Sequence, residues 1–277
     1  MEASNLIRLL INKEIVPPQK GRGRRGYGNV ARIRTLIYRG LKGFNDCQLI
    51  KHLEANPKIR RTLGLTGVPD RSRLSVWKNI YSALVIQVFN KLSAIIQMII
   101  PTELLIIDST PLVDEEDPDA KVGFNSRGPF KGFKTHLSVN QLGLPLKAIL
   151  TTGNKHDSPF FPELLVACLM ALADAAYDSE TNRKACREIK AKPVIAKNRR
   201  RSRKRRWTPK ILKKKRYLVE QFNSIIKNSM DKCWQKVLGI KRKKSVVFAS
   251  LSAILITTID SIICNKTSLR EFNRFRI

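Results

Sequence analysis

Three acidic residues stand where a reaction would want them. Asp108 closes the apolar run LLIID (104–108), Asp174 lies in LADAAYD (172–178), and Glu220 follows a long basic segment. A short apolar strand brings a carboxylate to the rim of a sheet, where its backbone is fixed and metal can reach it. Arg216, Glu220 and Lys227 are spaced four and then seven residues apart. A continuous helix therefore presents all three on one face, with Val219, Phe222 and Ile226 as the apolar stripe opposite. Two or three converging carboxylates can hold two Mg²⁺ ions roughly 3.5–4 Å apart, the clamp used for in-line attack at a phosphodiester, and Mn²⁺ can substitute. Plainer readings stay open on the residues alone. An Asp at a strand end often caps the next turn, and Arg216 with Glu220 could be a surface ion pair worth a few tenths of a kcal/mol.

The charge around these acids narrows the chemistry. The 277 residues carry 53 Lys and Arg against 22 Asp and Glu, a net charge of +31. A chain with 43% hydrophobic residues has material for a core, which excludes a wholly disordered basic tail. Self-repulsion of that size calls for a polyanion, with nucleic acid first and an anionic membrane second. Residues 197–216 hold 13 basic residues and no acid, among them Arg203, Lys204, Arg205 and Arg206, with Trp207 able to stack on a base. Arg22, Arg24 and Arg25 sit in a Gly-rich stretch, GRGRRGYG (21–28), that suits phosphate contact. Residues 101–150 reverse the balance, with 7 acids against 5 bases.

The membrane alternative meets apolar runs that are too short. Ser245–Ile259 is 15 residues, against roughly 20 for a spanning helix. Pro101 and Glu103 break Leu92–Ile107. Residues 1–14 show no small-residue cleavage site, so the expectation is a cytoplasmic protein associated with the nucleoid. Five cysteines without a CxxC pair, and three histidines, argue against a disulfide framework, a zinc ribbon or a His-rich metal site.

The elements that must position the acids follow from periodicity. Residues 1–29 read as a flexible basic arm. Residues 30–100 read as a basic helical DNA-binding domain, broken at Asn56-Pro57 and Val68-Pro69-Asp70. The catalytic domain is read over 101–265 and a basic tail over 266–277. Within it, 104–108 is a strand, and 133–140 with 144–152 form a hairpin across Gln141-Leu142-Gly143. Ser158–Ala171 reads as helix, 172 opens a brief strand, and 179–191 is a helix capped by Ser179. A last strand spans 192–198. Thr208 and Pro209 then open a helix to about residue 231. The sum is a mixed α/β layer.

The order of these motifs resembles the insertion-sequence transposases with a DDE catalytic domain, over roughly residues 35–260. LLIIDST is similar to the first-Asp strand, and FKTHLSVNQLGLPLKAILTTGNKHDS to a Lys-x-His hairpin ending in His-Asp, here Lys134, His136, His156 and Asp157. LADAAYDS resembles the second-Asp motif, and Arg216, Glu220 and Lys227 fit the spacing of the last one. Departures are Lys213 where Tyr is expected, Ala175-Ala176 after the second Asp, and Asn140 in place of an Asp.

The resemblance implies an RNase H-like mixed sheet flanked by helices, preceded by the helical domain. It implies Asp108, Asp174 and Glu220 as catalytic residues and ligands of two Mg²⁺ ions, with Arg216 and Lys227 placing phosphates. It implies a homodimer on double-stranded DNA that cuts the ends of its element and joins the 3′-hydroxyls to target DNA. The rivals are an RNase H-like nuclease without strand transfer and a non-enzymatic nucleic-acid binder. His136 reads as a hydrogen-bonded strand histidine, and Asp157 and Asp178 as caps, with Asp178 a rival to Asp174.

Overall fold

The computed structural model describes residues 2–17, 26–125, 128–198, 209–224, 237–266 and 269. They form two compact units, Met1–Leu92 with Asn228–Ile277, and Ser93–Lys227. In chain order the helices are α1 (Ala3–Leu10), α2 (Asn29–Lys42), α3 (Asp46–Ala55), α4 (Pro57–Leu63), α5 (Arg71–Ile80), α6 (Ser82–Ile99), α7 (Phe161–Leu164), α8 (Glu180–Glu188), α9 (Lys210–Lys215), α10 (residues 217–224) and α11 (Ile240–Ile263). The strands are β1 (Leu104–Val113), β2 (Lys121–Asn125), β3 (Gly128–Val139), β4 (Pro145–Thr152), β5 (Met170–Ala173) and β6 (Lys192–Ile195).

The first unit is helical, with its breaks where Pro and caps put them. Pro57 opens α4, where its missing N–H costs nothing. Asp70 caps α5 by accepting the backbone N–H of Arg73 at 2.7 Å. Asn45 and Gln48 make a reciprocal capping box on α3. The centre is α11, whose residues from Ser245 to Ser261 are buried throughout. It lies so close to α2 that a Cβ added at Gly40 would meet the Ala249 carbonyl carbon at 3.1 Å. Among the described residues, α6 and α11 are long and apolar enough to cross a membrane by length and composition. The run expected to be too short is thus part of a 24-residue helix that starts at Ile240. Its burial inside this unit is the setting of a core helix.

The domain limits read from sequence differ from this division. The catalytic domain was expected to run to 265, whereas residues 228–277 group with the N-terminal helices, because α11 buries its apolar surface there. The second unit starts at Ser93, within α6, where the Ser93 hydroxyl donates to the Leu146 carbonyl at 2.7 Å.

The second unit is built on a six-stranded mixed sheet. β4, β3 and β1 run antiparallel, and β5 and β6 continue the sheet parallel to β1. This is the mixed α/β layer that the sequence led one to expect, with the β3–β4 hairpin closed as foreseen. Asn140 Oδ1 accepts the N–H of Leu142 and of Leu144 at 3.0 Å each, and Gly143 takes φ +71°. β2 adds to the outer edge of β3 ahead of β4. Gly132 sits at this crowded point with φ +155°, and a Cβ there would lie 2.2 Å from the Leu112 carbonyl oxygen.

Other boundaries moved for local reasons. β1 does not end at Asp108 but continues to Val113, because antiparallel pairing with β3 outlasts parallel pairing with β5. The helix expected over 158–171 is a 3-10 turn (Ser158–Phe160) and the four residues of α7, with β5 starting at Met170. α8 is capped as read, the Ser179 hydroxyl accepting the N–H of Asn182 at 3.2 Å. The last helix breaks at Arg216 into α9 and α10.

Candidate active site

The parallel register of β1 and β5 assembles the site. Leu104 to Ile107 lie opposite Met170 to Ala173, so Asp108 and Asp174 are the next residues on two neighbouring strands. Their backbones are therefore about one strand spacing apart, near 4.8 Å. They sit past the carboxyl end of the parallel pairing, where open α/β sheets take their ligands. Asp174 leaves the strand and caps the following turn, its Oδ1 accepting the Ala176 N–H at 2.9 Å. The capping role and the place beside Asp108 coexist.

Asp108 is buried, and the consequence is electrostatic. Burial first, and then the charge of Asp174, push its carboxyl up to about 7, against the pull of Arg216 and of the Ser109 N–H. Its Oδ1 accepts that N–H at 2.9 Å and its Oδ2 accepts Asn223 Nδ2 at 3.4 Å. Tyr177 is buried beside the acids. Burial, with Asp157, Asp108 and Asp174, holds its phenol well above the ordinary value, so it stays neutral.

Behind the pair, Lys134 and His136 converge on Asp157. Lys134 Nζ donates to Asp157 Oδ1 at 2.9 Å and to the Lys155 carbonyl at 3.0 Å. His136 Nδ1 lies 3.6 Å from the same Asp157 oxygen, and its Nε2 lies 3.0 Å from the Thr151 hydroxyl. Burial lowers the imidazole to about 4, Asp157 opposing, so His136 is a neutral, hydrogen-bonded strand residue. Asp157 was expected to cap; its side chain makes no cap hydrogen bond and answers Lys134 instead. Asp178 is tied to Arg183 at 2.6 Å and to the Asn198 N–H at 2.8 Å, which occupies it away from the role of rival ligand.

Glu220 is placed differently from the two aspartates. Leu218, Val219, Phe222 and Asn223 form the buried face of α10, and Glu220 lies on the exposed face. Its Oε1 takes Arg216 Nε at 3.0 Å, both side chains about half exposed. Among the described residues no three of His, Cys, Asp and Glu gather as a metal site. The group of α10 that reaches Asp108 is Asn223, which the sequence reading missed. The signal was there: a polar residue four positions after Val219, on the buried side. Arg22, Arg24, Arg25, Arg203, Lys204, Arg205, Arg206 and Lys227 lie outside the described residues.

Asp108 and Asp174 thus stand side by side past the end of the parallel pairing, in a strongly basic chain. The sequence model of the family described as "Transposase DDE domain" matches residues 100–257, more than half of the chain. The chain belongs to that family. Among solved structures it is similar to a piggyBac transposase in a synaptic complex with hairpin DNA, at 13% identity, covering 99% of this chain and 78% of that one, with a TM-score of 0.49. No curated protein sequence matches it. The transposase family implies an enzyme acting on DNA, and DDE transposases in general use divalent metal ions. Asp108 and Asp174 fit such an ion, since both offer hard oxygen donors and a cation would offset the repulsion that raises Asp108.

Proposed function

We propose that this transposase binds the ends of an insertion element, cuts the DNA there and joins the 3′-hydroxyls to target DNA. The observation that carries the reading is the register that sets Asp108 beside Asp174. Asp108 and Asp174 would hold divalent ions, Mg²⁺ or Mn²⁺ in its place, which supply charge stabilisation at the phosphate and acidify the attacking oxygen. Glu220 is the third carboxylate by its spacing from Arg216 and Lys227. Arg216, close enough to lower Asp108, places a phosphate, with Lys227. Arg203, Lys204, Arg205, Arg206, Arg22, Arg24 and Arg25 neutralise DNA phosphates. Tyr177 stays neutral and buried beside the acids. The protein acts as a homodimer on double-stranded DNA, in the cytoplasm on the nucleoid.

The test is Asp108→Asn in a cleavage and strand-transfer assay with element-end DNA. Binding is expected to persist and Mg²⁺-dependent cleavage to vanish; cleavage at the wild-type rate overturns the assignment. Products that are cut but never joined favour a nuclease without strand transfer. The exposed position of Glu220 favours a second reading, a DNA binder without chemistry, and absence of any cleavage by the wild type selects it.

A further inference from the structure

Asn223 is the side chain of α10 that addresses the first carboxylate. It is 7% exposed, and its Nδ2 donates to Asp108 Oδ2 at 3.4 Å. Its Oδ1 is buried and has no hydrogen-bond partner among the described residues. Packing alone does not explain an amide here. The neighbouring positions on this face are Leu218, Val219 and Phe222, and an aliphatic residue at 223 would complete the face without leaving a buried oxygen unsatisfied. The geometry around Asp108 does explain it. With Ser109 N–H on Oδ1 and Asn223 on Oδ2, the plane of the carboxylate is held from both sides. Each oxygen keeps a lone pair for a cation.

We infer that Asn223 is a positioning residue of the active site, fixing the Asp108 carboxylate in the orientation that binds the divalent ion. The inference rests on the proposed metal-binding role of Asp108 and extends it to α10. Groups that orient a metal-binding carboxylate typically contribute about 10–100-fold to metal affinity. Asn223 thus ties α10 to the sheet through the reacting site, independently of Glu220 on the opposite face.

The test titrates Mn²⁺ into the full chain, followed by the paramagnetic signal of the free ion, with melting temperatures measured beside it. Asn223→Leu keeps volume and removes the donor. Its Kd for Mn²⁺ is expected to rise about 10–100-fold while Tm holds or increases. Asn223→Gln, which keeps a donor on a longer stem, recovers part of the affinity. If the Leu variant does not fold, Asn223→Ala carries the same expectation. Wild-type Mn²⁺ affinity in the folded variant overturns the inference, whether or not Tm has fallen. Asp108→Ala, run in parallel, separates the two levels. Lost Mn²⁺ binding there with an unaffected Leu variant removes Asn223 alone; unchanged affinity in both removes the proposed site with it.

Discussion

Asp108 and Asp174 occupy equivalent places on adjacent parallel strands, each one residue beyond the pair Ile107–Ala173. The 65 residues between them in sequence collapse to one strand spacing, about 4.8 Å. The site is therefore a property of sheet register: a one-residue slip of β5 would turn Asp174 to the opposite face. It also forces two carboxylates together, which raises the cost of ionising Asp108.

That cost gives a stability prediction for the metal-free chain. Asp108 stands at about 7 when folded and at 3.8 when unperturbed, through burial first and Asp174 second. A raised folded value means a contribution to stability that is present below pH 3.8 and lost as pH rises to about 7. Asp108→Asn, which cannot ionise, should gain on the wild type across that window and keep its advantage above it. Each unit converts to about 1.4 kcal/mol, an upper bound that relaxation and water entry reduce. Thermal melts of both proteins in chelator, at several pH values between 4 and 8, read the effect; parallel curves would contradict it.

The sheet around the site tolerates no side chain at Gly132. Its φ of +155° and the 2.2 Å approach of the Leu112 carbonyl oxygen leave a Cβ nowhere to go. Gly132→Ala should destabilise the chain by upwards of about 2 kcal/mol, as overpacking combined with backbone strain does. A chemical-denaturation midpoint equal to wild type would mean that β1 and β3 can separate there freely.

Much of this arrangement was legible beforehand. The run ending in Asp108, the hairpin around Gly143 and the Ser179 cap are local signals, and each appeared where the residues put it. What could not be read was set by partners distant in sequence. β1 runs on to Val113 because β3 pairs with it, a fact that no window around Asp108 contains. Pro159 and Pro162 sit in the segment read as one helix, of which only four residues became α-helical. The helix read as continuous from 209 breaks at Arg216, yet the Glu220 N–H still bonds the Arg216 carbonyl, so Arg216 and Glu220 share the exposed face and Val219 and Phe222 the buried one, as read.

DNA affinity should be strongly salt-dependent. With 53 basic residues against 22 acids, several phosphates are neutralised at once and their counterions are released. Six to ten such contacts imply a loss on the order of 10³–10⁵ in affinity between roughly 50 and 200 mM salt. Anisotropy titrations of labelled duplex across that range give the slope directly. A nearly flat dependence would remove phosphate neutralisation as the basis of binding.

Glu220 offers the sharpest separation between an ion pair and a catalytic group. As the exposed partner of Arg216 at 3.0 Å, it stabilises α10 by a few tenths of a kcal/mol at most. Glu220→Gln keeps the shape and removes one negative charge, so melting should barely move in either role. Cleavage distinguishes them. If Glu220 turns to the aspartates on the DNA complex and serves as third carboxylate, the Gln variant leaves the metal charge under-neutralised and cleavage collapses. Glu220→Asp keeps the charge but withdraws it by about one C–C bond, and Mn²⁺ should restore part of its activity. We expect lost cleavage in Glu220→Gln at a nearly unchanged melting temperature, measured on element-end DNA in Mg²⁺. A Gln variant that cuts at the wild-type rate would confine Glu220 to its ion pair, leaving the chemistry to the two aspartates on the sheet.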